Sequence, residues 1–539
     1  MDIEQFRKAG YAAIDAICDY HASLSARDVI PTVSPGYLRA ALPSAPPEHG
    51  EEWAAIAKDY EDLILPGLTR WQHQKFFAYF PTSGNFESIL GELYAASTPN
   101  PGFNVRRLLI ALRDAADEGQ WLASPACTEL EAIMMDWGAK LLGLSPAFLN
   151  ENGVGGGVMM TSASDSVLTA VTAARTRWFR LLAQSSTTPP DLGPLDPAHP
   201  GTDPKPDANP QKATVAPILY TTSQTHSVGV KAGLILNLPV RALPVYAKDN
   251  YALRGETLRR ALEEDEQAGR GVCALVATIG TTSSGAVDNM KEIAEVAKDY
   301  PNLWIHIDAA WAGMALSCPE LRPLGYLDVI NECEGVRSFC SNFHKWGLVA
   351  FDASTLWVRD RKELTDALDV TPEFLRTKEG DAGTVIDYRN WHLGLGRRFR
   401  SLKVWFVLRS YGVEGFRAHI RKCIELNQLF VSLIEESDIF ALVTPPSFAL
   451  SVFRLVFPGS KGKEDPEESE ASLDALNRAF HKALSARTDI FLTQTVLNGT
   501  FCLRFAVGSQ RTEKADIKWA FEVAQEVGKA VLKAQGASA

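Results

Sequence analysis

The chain has 539 residues, longer than one compact core usually reaches, so roughly two to four domains are expected. Hydrophobic residues make up 46% and charged residues 22%, a globular balance, and no run of eighteen apolar residues is present to span a membrane. A net charge of −11 argues against nucleic acid or an anionic membrane as partner, since both are bound through Lys and Arg.

In chain order, residues 1–80 read as amphipathic helices broken by a proline-rich turn (Pro31, Pro35, Pro43, Pro46, Pro47). Too few apolar positions repeat there for a separate core, so this segment is expected to pack on another surface, a partner subunit included. The N-terminus lacks the basic-then-apolar plan of a signal peptide. Eight scattered cysteines without CxxC or zinc-ligand spacing fit free thiols, and the location expected is cytoplasmic, with no metal.

Residues 81–400 are assigned to a large domain. From about 125 to 370, short β-rich runs (216–220, 274–278, 303–307, 336–341) alternate with helical stretches, an α/β pattern with a parallel sheet and crossover helices. A glycine run, 153–157, leads through Thr161-Ser162-Ala163-Ser164-Asp165-Ser166 into a helical pattern at 167–182. Small hydroxyl residues opening a helix offer N–H groups and the positive end of the dipole to a phosphate, although an ordinary N-cap reads the same way. His226 follows the strand at 216–220, where an imidazole can stack on a flat ring or serve structure alone. Residues 401–539 form a smaller α+β domain, with helices at 401–411, 413–436 and 472–487 and strands at 450–457 and 500–506. Segments 185–212 (proline-rich) and 459–470 (polar) are expected to be disordered.

Two segments carry chemistry. In Trp304-Ile305-His306-Ile307-Asp308-Ala309-Ala310 a β-branched run ends in a carboxylate followed by small residues. In Asn342-Phe343-His344-Lys345-Trp346 a lysine follows a buried strand. A buried ammonium must find a partner or lose its proton, and a lysine so activated suits Schiff-base chemistry. Either segment alone also fits a plain structural reading. Together they suit pyridoxal 5'-phosphate (PLP), with Asp308 keeping the pyridine nitrogen protonated and Lys345 holding the aldehyde.

At this point the chain resembles the PLP-dependent group II amino-acid decarboxylases, and within them the aromatic-L-amino-acid decarboxylases, over nearly its whole length. The resemblance rests on Phe80-Pro81-Thr82-Ser83, on Ala123-Ser124-Pro125-Ala126-Cys127-Thr128-Glu129-Leu130-Glu131, on the Asp308 and Lys345 segments, and on residues 395–403. It implies PLP fold type I: a mixed, mostly parallel seven-stranded sheet with helices on both faces, working as a homodimer with sites at the subunit interface. It further implies that His226 stacks over the ring with Ala310 behind it, that Ala163, Ser164 and Asn342 hold the phosphate, and that Thr278 lies near the ring hydroxyl. By the same resemblance His344 neighbours the Schiff base, and Thr82 and Phe103 belong to the substrate pocket. Gly396 would leave room there for an indole. The substrate implied is a small-molecule aromatic L-amino acid (tryptophan, tyrosine, dopa or phenylalanine), and the products are the arylalkylamine and CO₂. A family member acting on an acidic side chain would need a cationic pocket, which Phe103 does not supply.

The chain departs from the family twice. Phe374 stands where these decarboxylases carry a loop tyrosine that governs proton delivery to Cα; phenylalanine keeps the ring but cannot give a proton. Phe here resembles the aromatic aldehyde synthases, which yield aldehyde, ammonia, CO₂ and hydrogen peroxide. The second departure is an atypical insert at 105–120, beside Phe103. Its terminal Val and Gln codons are compatible with intron ends, so it reads as a retained intron or as a helical insert that reshapes or disables the pocket. A transcript joining Asn104 directly to Trp121 distinguishes the two. A catalytically disabled PLP-fold protein is the third functional alternative.

Overall fold

The computed structural model describes residues 1–82, 84–100, 102, 124–185, 216–369, 386–459 and 470–536. Residues 186–212 and 460–469 of the two segments expected to be disordered, and the whole of 105–120, lie outside them. The chain divides into two compact units, one of Ser83–Lys422 and one of Met1–Thr82 with Cys423–Ala539.

The larger unit is built on a seven-stranded sheet of order β1-β7-β6-β5-β4-β2-β3. Its strands are β1 (Gly156–Met160), β2 (Pro217–Thr222), β3 (Val240–Leu243), β4 (Gly271–Thr278), β5 (Trp304–Asp308), β6 (Val336–Asn342) and β7 (Ser354–Val358). β3, β2, β4, β5 and β6 pair in parallel, and only β7, between β6 and β1, runs antiparallel to its neighbours. β1 therefore points the same way as β6. Sheets of this kind are covered on both faces, and β1, β2, β5 and β7 are accordingly buried at every residue.

The helix Ala163–Ser185 covers one face, packing Val167, Ala170, Val171 and Ala174 against Val158, Val276, Trp304, Cys340 and Leu356. The helix Pro125–Leu142 lies against β1, with Met135 O accepting from Trp357 Nε1 at 2.9 Å. Gly157 has to lack a side chain there, because a Cβ would come within 2.5–2.6 Å of Met135 and Trp357. The glycine run thus serves the start of β1, and of the hydroxyl residues after the strand Thr161 donates to Asp165 Oδ2 at 2.8 Å while Ser162 Oγ accepts from the Asp165 amide at 3.3 Å, an N-cap arrangement. The helical stretches read at 401–411 and 413–436 form one run, Arg400–Glu436, broken at Gly412 by a left-handed backbone (φ 60°, ψ 178°).

The second unit holds a four-stranded antiparallel sheet of order β10-β11-β9-β8, made of β8 (Phe440–Leu442), β9 (Leu450–Leu455), β10 (Thr493–Leu497) and β11 (Thr500–Ala506). Its core is aromatic: Phe430 stacks on Phe505 at 3.8 Å, and Phe77 stacks on the same Phe505 at 4.2 Å. Phe77 explains why residues 1–82 belong with the C-terminal part, since the N-terminal segment supplies core side chains there. No helix among the described residues is long and apolar enough to cross a membrane, and none of the eight cysteines forms a disulfide among the described residues.

Candidate active site

Alternation along β5 places Trp304, His306 and Asp308 on one face of the sheet. Asp308 ends the strand, in register with Thr278 at the end of β4 and with Cys340 in β6. Its carboxylate is only 4% exposed. One oxygen, Oδ1, accepts from the Ala310 amide at 3.1 Å and lies 3.7 Å from Cys340 Sγ. One step down the strand, Ser338 Oγ accepts from Trp304 Nε1 and meets His306 Nδ1, both at 2.8 Å. Burial pushes His306 down to about 4, so it is neutral at ordinary pH.

Lys345 is half-buried on the short helix Phe343–Trp346, which leaves β6 directly. Its neighbours on that turn are buried. Trp346 stacks on Trp311 at 5.0 Å, and His344 Nδ1 accepts from the Ala353 amide at 2.8 Å. Burial, with the Lys345 charge adding to it, pushes His344 down to about 3. His226, in the turn after β2, is exposed. Desolvation is the main cause of its lowered pKa; the Asp308 charge opposes the shift and the Lys345 charge adds to it. The imidazole therefore lies in the fields of both residues. Its Nδ1 accepts from the Val228 amide at 3.3 Å, which leaves Nε2 to carry the proton.

The carboxyl ends of β1 and β6 complete the rim. β1 runs through Thr161 and Ser162 into the helix Ala163–Ser185, whose N-terminus presents buried Ala163 and exposed Ser164. Asn342 Oδ1 accepts from Ser354 Oγ at 2.6 Å, and Ser354 Oγ meets Ser166 Oγ at 3.5 Å. This bridge fixes the amide so that its nitrogen is the end left for an anion, close to the positive pole of the helix. The Thr278 amide donates to Asp288 Oδ2 at 2.8 Å, but Thr278 Oγ1 is buried with no partner among the described residues.

These features fit PLP. A bound PLP would meet the Asp308 carboxylate at its ring nitrogen, the unpartnered Thr278 hydroxyl at its ring hydroxyl, a helix N-terminus with the Asn342 amide at its phosphate and the Lys345 amine at its aldehyde. The geometry brings Asp308, Ala310, Thr278, Asn342, Ala163, Ser164, Lys345, His344 and His226 to one rim, where open α/β sheets bind their ligands. Thr82 ends the other unit, and Phe103 and Phe374 lie outside the described residues.

Gly396 is exposed and outside the left-handed region, and a Cβ there would meet nothing within 4 Å, so the backbone does not demand glycine. Its neighbour Arg397 is a residue whose role the sequence did not reveal. It makes a buried two-pronged pair with Glu131 at 2.5 and 2.8 Å, donates to Met159 O at 2.8 Å, and lies over the Tyr388 ring. Gly102, with φ +66°, would bring a Cβ to 3.0 Å from Arg397 Cβ. The residue preceding Phe103 and the residue following Gly396 are therefore packed together. Both partners of the Glu131–Arg397 pair fall in matched motifs, but nothing in the spacing of the two joins them.

The family model described as "Pyridoxal-dependent decarboxylase conserved domain" matches residues 35–192 and 202–456. Aromatic-L-amino-acid decarboxylase of Rattus norvegicus is 38% identical over 99% of this chain and 100% of its own length. Phenylacetaldehyde synthase of Arabidopsis thaliana is 37% identical over 98% of this chain and 96% of its own. The crystal structure of Oryza sativa TDC with PLP and tryptamine superposes with a TM-score of 0.84 at 32% identity, covering 98% of this chain and 99% of that one.

Proposed function

The chain belongs to the pyridoxal-dependent decarboxylase family, a PLP-dependent carboxy-lyase, and from that premise we propose that it removes the α-carboxylate of an aromatic L-amino acid to give the arylalkylamine and CO₂. The observation that carries this reading is the convergence of Asp308, Thr278, Lys345 and His226 on one rim of strand ends. Bound PLP supplies an electron sink for the charge left at Cα as CO₂ departs.

The protein's own groups divide the remaining work. Lys345 would hold the cofactor through its amine. Asp308 keeps a proton on the ring nitrogen through a charge-assisted hydrogen bond. Ala163, Ser164 and Asn342 hold the phosphate, and Thr278 Oγ1 has a hydrogen bond to spare for the ring hydroxyl. His226 and Ala310 would flank the ring, and His344 stays neutral beside Lys345. Phe374, without a hydroxyl, offers no proton. His226, whose Nδ1 accepts from the Val228 amide and so leaves Nε2 to carry the proton, or a water would deliver the proton to Cα. Gly396 leaves room for the aromatic ring of the substrate.

A homodimer is part of the proposal. It is supported by the exposed apolar stripe Ile3, Phe6, Tyr11 and Ile14 along the helix Ile3–Ser23, and light scattering at twice the chain mass would test it. A second reading, aldehyde synthase, is favoured by Phe374 and by the relative named phenylacetaldehyde synthase. The test common to both is release of labelled CO₂ from carboxyl-labelled L-tryptophan and L-tyrosine. The wild type releases it and Lys345→Ala does not; equal release from the two would remove Lys345 from the chemistry, and none from either would leave a catalytically disabled fold.

A further inference from the structure

We propose that Cys340 is a positioning residue for Asp308, its thiol joining the Ala310 amide to fix one carboxylate oxygen so that the other faces the cofactor's ring nitrogen. The inference rests on the role given to Asp308 above. The two oxygens are treated unequally by the fold. Oδ1 receives both the Ala310 amide, at 3.1 Å, and the Cys340 sulfur, at 3.7 Å. No donor among the described residues reaches Oδ2.

The thiol's place is imposed by the sheet. Cys340 stands opposite Asp308 in the β5–β6 register, and its side chain is held in the core beneath the helix Ala163–Ser185. A carboxylate can only accept, so the sulfur has to donate. Complete burial, with the Asp308 charge next to it, keeps the thiol protonated and therefore able to do so. A thiol is a weak donor. It can orient a carboxylate while drawing little charge from the oxygen that has to hold the ring proton, so the positioning leaves the anion strong.

The test uses full-length enzyme loaded with PLP labelled with ¹⁵N in the ring, reading the nitrogen chemical shift and the rate of cofactor release. The wild type shows the shift of a protonated ring nitrogen, and Asp308→Asn loses it. Cys340→Ala moves the shift toward the unprotonated value and releases PLP roughly three- to tenfold faster, the effect of one lost hydrogen bond. Cys340→Ser, which keeps a donor, stays with the wild type. If the alanine variant does not fold, Cys340→Val, closer in volume and equally without a donor, takes its place. Wild-type behaviour in the alanine variant overturns the proposal. Equal loss in the serine and alanine variants also overturns it, by assigning the effect to packing. A wild type without the protonated shift, or an unchanged Asp308→Asn, refutes the role of Asp308 itself.

Discussion

The two oxygens of Asp308 have different surroundings, and that difference has an energetic reading. A buried carboxylate costs several kcal/mol, on the order of a lost ion pair, unless a cation or donors meet it. Here Oδ1 is met by the Ala310 amide and the Cys340 thiol, whereas Oδ2 has no donor among the described residues, in register with Thr278, whose buried Oγ1 likewise has no partner among them. These are the two groups that the proposed cationic ring and its hydroxyl would meet. Gly396 lends itself to a sharper test. Because a Cβ there meets only open space, Gly396→Ser should leave unfolding within ~0.5 kcal/mol of the wild type. It should lower kcat/KM for L-tryptophan about tenfold more than for the smaller ring of L-tyrosine. Steady-state kinetics on both substrates checks this, and an equal loss on both would remove Gly396 from the pocket. Asp308 and Lys345 were legible in the sequence because each closely follows an apolar run that announces a strand, whereas His226, after a polar loop, and Thr278 were expected at the site through the family resemblance. Cys340 was not legible, because its role comes from the β5–β6 register and nothing in its own segment encodes that.

At the scale of elements, the site exists because the strands end together. β4, β5 and β6 were legible as β-branched runs, whereas β1, β3 and β7 were not read as strands. β1 opens with two glycines, β3 is a four-residue edge strand containing Arg241, and β7 is only five residues long, so none shows a period of its own. Their pairing is tertiary information. The same holds for the Glu131–Arg397 pair, which ties the segment bearing Gly396 to the helix Pro125–Leu142 and to β1 from 266 residues away. Both partners are buried, so Arg397→Leu leaves the Glu131 carboxylate uncompensated and should cost about 3–5 kcal/mol. Replacing both residues with apolar ones should recover most of that loss. Urea unfolding midpoints of the single and double variants decide it, and a single variant as stable as wild type would contradict the account.

For the molecule as a whole, the buried histidines set the acid limit. Burial holds His73 and His306 near 4, and His344, His392 and His419 near 3, against about 6.5 in an unfolded chain. Between those values the unfolded chain binds protons that the fold refuses, so stability rises with pH and is lost as pH falls from about 6.5 toward 4. Asp288 acts in the opposite sense. Burial pushes it up to about 6, so the stability it adds by taking a proton on folding is present at low pH and is lost as pH rises through 6. Five groups against one predicts a urea midpoint clearly lower at pH 5 than at pH 7.5; an unchanged midpoint would mean that these imidazoles are hydrated in solution. Chemistry is likewise a property of the whole assembly, because the sequence leaves the product, amine or aldehyde, to be settled by how protons reach Cα with Phe374 in the loop. The most direct measurement feeds PLP-loaded enzyme L-tryptophan, L-tyrosine, L-phenylalanine and L-dopa in air and quantifies amine, aldehyde and hydrogen peroxide against CO₂. The account predicts one amine per CO₂ with no peroxide. Aldehyde and peroxide in equal amounts, reverting to amine in Phe374→Tyr, would contradict it and establish an aldehyde synthase.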